Sequence, residues 1–307
     1  MSAVRLKGNV ANWIRLSRPA FHSVGVLPFV LGTVMAWRIE SVFNLPVFIL
    51  GTLAVILVML STYQAGEYFD FQEDSISKSI FPSRFAGGSG VMQEGVLPRR
   101  VPLWTSVIAM VVAALIGIVL QFVLDTGIYT ILLGAVGLFC GFFYSTRPLR
   151  LVERGVGELV IGFCYGWLPV AAAFYIQAGY VNQSIHLISL PIALTIFNVI
   201  FLNEFFDIPG DRAAGKRNLL IRLGTRKSVL LYCAASVLAW LAMFTTITAG
   251  VSPRALWLYL PVVILSLYIV ISLIRGGYRH YRSLELFCGL NIAVNLGTTG
   301  AYILAFL

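Results

Sequence analysis

Two short acidic segments hold the residues best suited to chemistry. "GEYFDFQED" carries Glu67, Asp70, Glu73 and Asp74, and "NEFFDIPGD" carries Asn203, Glu204, Asp207 and Asp211. On a helix, Glu67, Asp70 and Asp74 (i, i+3, i+7) share one face, which turns Glu73 away toward solvent. Asn203, Asp207 and Asp211 (i, i+4, i+8) share a face in the same way, with Glu204 beside them. Each segment reads Asp-x-x-x-Asp with a Glu three residues earlier, a weak internal repeat. Carboxylates suit hard divalent cations, and Mg²⁺ is typically held by one or two of them plus substrate phosphates. Two facing clusters could hold two Mg²⁺ ions that bridge a diphosphate. One cluster alone would read as a solvated helix end or as a partner for loop arginines. Two matched clusters running back toward apolar segments favour a site.

Basic residues follow closely. In "RAAGKRNLLIRLGTRK", Lys216 and Arg217 come just after Asp211, with Arg222 beyond. Cations beside Mg²⁺-binding acids make sense if an anion lies between them, Arg offering a planar fork and Lys a point charge. "YSTRPLRLVERGVGE" adds Arg147 as a phosphate ligand and Tyr144 as a wall of an acceptor or allyl pocket. It also adds Glu158, an acid inside an apolar run whose expected partner is Arg154. "SRFAGGSGVMQEGVLPRR" lacks a dinucleotide fingerprint and reads as a flexible lid. Arg84 would reach the diphosphate from it, and Gln93 or Glu94 would face the site. His22 is expected to line the site, while His186 and His280 are expected at the interface. The four cysteines, Cys140, Cys164, Cys233 and Cys288, lie in apolar runs without close spacing and read as small hydrophobes.

The elements that must position these residues are membrane helices. The chain has 307 residues, 59% hydrophobic and 11% charged, against about 25% charged in a soluble domain. The apolar runs approach the about 20 residues of a spanning helix and lack barrel-type alternation. Nine spans are expected, at about 20–38, 45–69, 101–124, 128–146, 156–178, 186–206, 227–249, 254–274 and 286–306. The fold class is therefore an all-α integral membrane protein, a single domain over 1–307. The early basic residues are not followed by a signal-type apolar core until residue 20, and that run is long enough to span.

Charge orients the bundle. Four Lys or Arg precede the first span, four lie in the 70–100 loop, three in 147–155, six in 207–227 and three in 275–285. Only Arg38 and Arg254 fall on the opposite side. This asymmetry implies a cytoplasmic N-terminus in the inner (cytoplasmic) membrane. It also accounts for the net charge of +9 without a nucleic-acid partner. The two long loops, 70–100 and 207–227, sit on the same side as the acids and would cap the site.

The paired acidic motifs, the intervening "YSTRPL…RGVGEL", the closing "DRAAGKRNLLIRLG" and "RLSRPAFHSVGVLPFVLG" at the first helix resemble the UbiA superfamily of intramembrane prenyltransferases. The resemblance spans nearly the whole chain. It implies nine transmembrane helices around a cytoplasm-facing cavity and Mg²⁺-dependent prenyl transfer from a polyprenyl diphosphate to an acceptor, often aromatic. It implies that Asp70, Asp74, Asp207 and Asp211 hold Mg²⁺. It further implies that Asn203, Lys216, Arg217, Arg147 and Tyr144 serve the substrate, with Lys216 aiding catalysis. One departure stands out. The family's first motif commonly opens with Asn four residues before the first Asp, and here Gly66 occupies that position, followed by Glu67. Either Glu67 replaces the missing ligand or the chemistry is altered. "FDIPGDRAAGKRNLLIRLG" is most similar to the branch that prenylates 1,4-dihydroxy-2-naphthoate in menaquinone synthesis. Tyr68, Tyr144 and Phe206 are expected to shield an allylic cation. Other acceptors such as 4-hydroxybenzoate, a cation transporter built on the same acids, and a non-catalytic isoprenoid-binding homologue are the alternatives.

Overall fold

Long runs of Leu, Ile, Val and Phe must satisfy their backbone N–H and C=O groups within each segment once water is excluded, and helices do so. In the computed structural model, which describes residues 10–307, every regular element is helical. Arg5 and Lys7, counted above in the charge asymmetry, lie outside the described residues.

Eleven helices follow one another: α1 (Val10–Ser17), α2 (Pro19–Glu40), α3 (Leu45–Phe69), α4 (Phe71–Ile80), α5 (Val101–Phe122), α6 (Thr130–Ser145), α7 (Gly157–Ala178), α8 (Ser184–Ala213), α9 (Leu219–Thr245), α10 (Arg254–Ile274) and α11 (Tyr281–Phe306). A π-helical turn, Phe163–Trp167, interrupts α7. Prolines at the first turns of α2, α3 and α5 start those helices where no N–H is needed. Asn44 caps α3 by accepting from Val47 N at 3.2 Å.

Among the described residues, eight helices (α2, α3, α5 and α7–α11) are long and apolar enough to cross a membrane. The chain is a multi-pass membrane protein. The expected span at 128–146 is α6, whose 16 residues fall short of the about 20 that a bilayer core requires. α8 is central, packed against α4, α7, α9 and α11. Buried polar pairs fix it there: Asn198 Nδ2 donates to Ser236 Oγ at 2.9 Å and Asn295 Nδ2 to Thr195 Oγ1 at 3.0 Å. All four cysteines are free.

The expected long loops are partly helical. α4 occupies the start of 70–100, α8 runs on to Ala213, and α9 begins at Leu219. Asn218 explains the early start of α9, since its side chain accepts from Ile221 N at 2.9 Å and caps the helix. α9 is then kinked at Gly224 (φ 72°, ψ 160°). Only 214–218 separates α8 from α9.

Candidate active site

The two acidic segments meet because α4 lies directly against the end of α8. At Gly210 an added Cβ would overlap Glu73 O and Ser77 Oγ, so only glycine lets the two backbones approach. Ser77 Oγ donates to Asp207 O at 3.3 Å and accepts from Gly210 N at 3.2 Å. This hydroxyl stitches the segments together just after Pro209, which has no N–H of its own. Asp70, Asp74, Asp207 and Asp211 line one cavity of about 180 Å³ with Glu67, Tyr144, Asn203, Glu204 and Lys216.

The four aspartates are not equivalent. Asp70 Oδ1 meets Arg150 Nη2 at 2.7 Å and Lys216 Nζ at 3.6 Å. Asp211 meets Lys216 Nζ at 3.1 Å and accepts from Asn218 Nδ2 at 2.8 Å. Among the described residues, Asp74 and Asp207 have no ion pair, and Asp207 Oδ1 is buried without a hydrogen bond. Burial, and after it the charge of Asp207, pushes the Asp74 carboxyl well above the usual carboxylate range. A half-buried carboxylate pair without an ion-pair partner among the described residues invites a cation. Burial disfavours the Lys216 ammonium, but Asp70 and Asp211 outweigh it and hold the proton firmly.

No group of three or more His, Cys, Asp or Glu among the described residues is arranged like a preformed metal cage.

Several side chains stand elsewhere than expected. Glu73 is buried, not solvated: it meets Arg150 at 2.8 Å and Lys216 at 3.3 Å. Burial alone would raise its pKa, but Lys216 reverses the sign and holds it below the ordinary value. The cause is a break in the helix at Asp70 (φ −95°, ψ 12°), which resets the phase between α3 and α4. Arg147 is exposed, and Arg150 takes the inward place. Arg150 has φ 41°, a left-handed backbone that turns the chain there. Arg217 is exposed and touches Glu153 O only through its backbone N–H. Arg84 is 83% exposed and pairs with Glu285, not with the cavity. Glu94 pairs with Arg15 at 2.6 Å on the surface, and Gln93 is not part of the cavity wall. Glu158 accepts from Leu219 N at 2.7 Å, whereas Arg154 is taken by the Pro148 and Leu149 carbonyls. His22 bonds to Ser17 O at 2.9 Å and stacks edge-on to Tyr63, behind the wall. Phe206 packs on Tyr281 and Tyr68 under Arg99, so neither lines the cavity, while Phe21, Tyr63, Phe85 and Tyr165 do.

The glycine-rich loop is docked, not free. Glu67 accepts from both Ser89 N and Ser89 Oγ, and Lys78 Nζ donates to Gly88 O at 2.7 Å. Gly87 and Gly88 adopt φ +66° and +67°. A Cβ on Gly88 would lie 2.7 Å from Asp74 Oδ2, so glycine is what lets this loop close on the acids. Glu67 is thus committed to the loop. Gly66 faces the cavity with ordinary contact distances, 3.6 Å to Ser145 Oγ being the nearest. Arg18 completes the wall, with Nη2 on Phe85 O at 3.3 Å. Arg150, Lys78, Arg18 and Asn218 carried no sequence signal beyond being polar residues of loops or helix ends.

Comparison with known proteins agrees with this architecture. The model of the UbiA prenyltransferase family matches residues 26–289. The 1,4-dihydroxy-2-naphthoate octaprenyltransferase of Bacillus subtilis (strain 168) is 26% identical over 293 residues, covering 95% of this chain and 90% of that protein. The apo structure of a UbiA homolog from Aeropyrum pernix K1 superposes with a TM-score of 0.70 at 16% identity, covering 94% of this chain and 98% of that one. A UbiA homolog from Archaeoglobus fulgidus bound to GPP and Mg²⁺ superposes with a TM-score of 0.63 at 14% identity, covering 94% and 99%. At such identities the two structures speak for the fold alone.

Proposed function

This chain belongs to the UbiA prenyltransferase family and is a transferase, and from that premise we propose that it prenylates 1,4-dihydroxy-2-naphthoate. The donor is a polyprenyl diphosphate and the metal is Mg²⁺. The single observation that carries the reading is the unneutralised pair Asp74 and Asp207, set beside Lys216 and opening on an apolar interior. The naphthoate acceptor rests on the similarity to the Bacillus subtilis protein named for it. The Archaeoglobus fulgidus homolog described with GPP and Mg²⁺ supports both donor and metal.

Asp74 and Asp207 would be the first holders of Mg²⁺, and Asp70 and Asp211, already paired to Arg150, Lys216 and Asn218, would stand beside it and could take part in holding a second ion. When bound, Mg²⁺ neutralises the charge that builds on the departing diphosphate. Lys216, already charged and buried, adds a fixed cation to the same place. Arg150 and Glu73 keep Lys216 and Asp70 in register. Glu67, Lys78 and Ser89 hold the glycine loop closed and exclude water. The C–O bond to the diphosphate breaks, leaving an allylic cation that Tyr144, Tyr63 and Tyr165 face with their rings. A ring carbon of the acceptor bonds to it and then loses its proton. Asn203 and Glu204 line the same cavity and would face the acceptor.

The excess of Lys and Arg on the acidic face supports a cytoplasmic orientation for that face and for the N-terminus, in the cytoplasmic membrane. One assay tests the proposal. The purified protein is given geranylgeranyl diphosphate, Mg²⁺ and a panel of acceptors. Prenylated naphthoate is expected, and none after chelation of the metal. Product only from 4-hydroxybenzoate would overturn the acceptor, and no product from any acceptor would overturn the activity.

A further inference from the structure

The glycines on the wall of the acidic cavity are there for different reasons. Gly87 and Gly88 have positive φ, and an added Cβ would lie 3.0 Å from the Lys78 side chain at the first and 2.7 Å from Asp74 Oδ2 at the second. Backbone and packing both demand glycine at those positions. Gly66 is the exception. It lies in the last turn of α3, where Asp70 N donates to Gly66 O at 2.9 Å and the helical backbone is intact. An added Cβ there would sit 3.6 Å from Ser145 Oγ and 3.8 Å from Asp70 Oδ2, which are ordinary contact distances. Glycine within a helix is less stable than alanine, so the fold gains nothing from it at this position. What the residue leaves is room in the cavity.

The wall around that room is uncharged apart from Asp70. Thr62 and Tyr63 lie one turn before Gly66 on α3, and Tyr144 and Ser145 end α6. Asp70 gives its other oxygen, Oδ1, to Arg150 and Lys216. A diphosphate pressed against Gly66 would meet hydroxyls, rings and a carboxylate oxygen, none of which compensates its charge. A flat aromatic ring suits the same wall, packing on bare backbone and on ring faces. α8 supplies polar groups to match. Asn203 and Glu204, 4% and 6% exposed, line the cavity, and Asn203 Oδ1 and Glu204 Oε2 have no hydrogen-bond partner among the described residues. Buried acceptor oxygens of this kind are costly unless a donor reaches them. A hydroxylated aromatic molecule meets both requirements.

We propose that Gly66 determines acceptor specificity, leaving the space that the unsubstituted second ring of a two-ring dihydroxy-aromatic acceptor occupies, while Asn203 and Glu204 accept from its hydroxyl groups. The carboxylate-bearing ring then lies toward Lys216 and Arg18, the cations of the same cavity wall. The proposal rests on the naphthoate reading above and deepens it, because it names the residue that separates two-ring from one-ring acceptors.

The test uses full-length Gly66→Ala and Gly66→Val in lipid nanodiscs. The substrates are geranylgeranyl diphosphate and 1,4-dihydroxy-2-naphthoate, and 2,5-dihydroxybenzoate, the one-ring counterpart of the naphthoate, is the competing ligand. Gly300→Ala on α11, where an added Cβ meets nothing within 4 Å and which lies outside the cavity, is the control. For Gly66→Ala, kcat/KM for the naphthoate is expected to fall about tenfold, the scale of one carbon too many in a fitted pocket, and further for Gly66→Val. KM for the donor and the inhibition constant of 2,5-dihydroxybenzoate should stay within about twofold, since neither uses that space. The melting temperature should rise by about 1–3 °C in both Gly66→Ala and Gly300→Ala, as alanine replaces glycine in a helix. A lower melting temperature for Gly66→Ala with unchanged kinetics overturns the proposal, because glycine would then serve the fold. So does a rise in donor KM alone, an equal weakening of both aromatic ligands, or a wild type that 2,5-dihydroxybenzoate does not inhibit. Gly66→Asn that raises kcat would also overturn it, since a ligand and not space would have been missing. A wild type that transfers nothing to the naphthoate sinks the acceptor reading itself.

Discussion

The two acidic segments are near copies in sequence and different objects in the fold. "EYFDFQED" is broken at Asp70, where α3 ends and α4 restarts on a new axis. "NEFFDIPGD" stays within one helix, α8, despite Pro209. Each nevertheless contributes one aspartate with cationic partners and one without. Asp70 is held by Arg150 and Lys216, and Asp211 by Lys216 and Asn218. Asp74 and Asp207 face the glycine loop without an ion pair among the described residues. The lesson is that a repeated motif need not give repeated roles. One aspartate of each pair is tied to cationic or amide partners, and the other has no ion pair among the described residues.

That division can be broken experimentally. The largest effect is expected from Asp74→Asn and Asp207→Asn. Each should lower kcat about 10²- to 10³-fold, the scale for removing one preorganised electrostatic group, with little change in melting temperature. A large loss of stability with normal kcat would reverse their assignment. Lys216→Met should act on both readouts, since it removes one of two cations from Asp70 and Glu73 and leaves Asp211 with none among the described residues. A loss of about 3–5 kcal/mol in unfolding free energy is the scale for breaking a buried ion pair, measured by denaturant titration. Asp211→Asn added to Lys216→Met should restore part of that stability, because it removes the charge left without a cation.

Gly88→Ala comes next. It meets Asp74 Oδ2 and a positive φ at once, a backbone cost of about 1–2 kcal/mol. The loop should dock less well, which steady-state kinetics would register as a several-fold rise in KM for the donor. The smallest effects belong to the exposed arginines. Arg84→Ala and Arg217→Ala should leave kcat/KM within about twofold and stability within about 0.5 kcal/mol, as for surface ion pairs generally. A hundredfold loss from either would show that the loop carrying it closes onto the substrate.

Much of this was legible in the sequence. The apolar runs and the pairing of the two acidic segments rest on composition and motif, and these survive into the fold. What failed depended on backbone geometry that no periodicity encodes. One continuous helix would leave Glu73 at solvent, and the break at Asp70 rotates it inward. Arg147 and Arg150 sit three residues apart in the same turn, and the left-handed backbone at Arg150 aims that side chain at Asp70. Arg84 and Arg217 were chosen because they neighbour the motif in sequence. Lys78 follows Asp74 by four residues, but its bond to Gly88 O depends on how the glycine loop folds back, and Arg18 neighbours the acids only in space. α6 met the composition expected of a span but not the length.

The most direct test of the central claim compares wild type, Asp207→Asn and Asp211→Asn in Mg²⁺-dependent prenyl transfer to 1,4-dihydroxy-2-naphthoate, with melting temperature measured on the same samples. The expected result is that Asp207→Asn abolishes transfer but leaves the melting temperature unchanged, whereas Asp211→Asn lowers both. Transfer by Asp207→Asn at the wild-type rate would contradict the account.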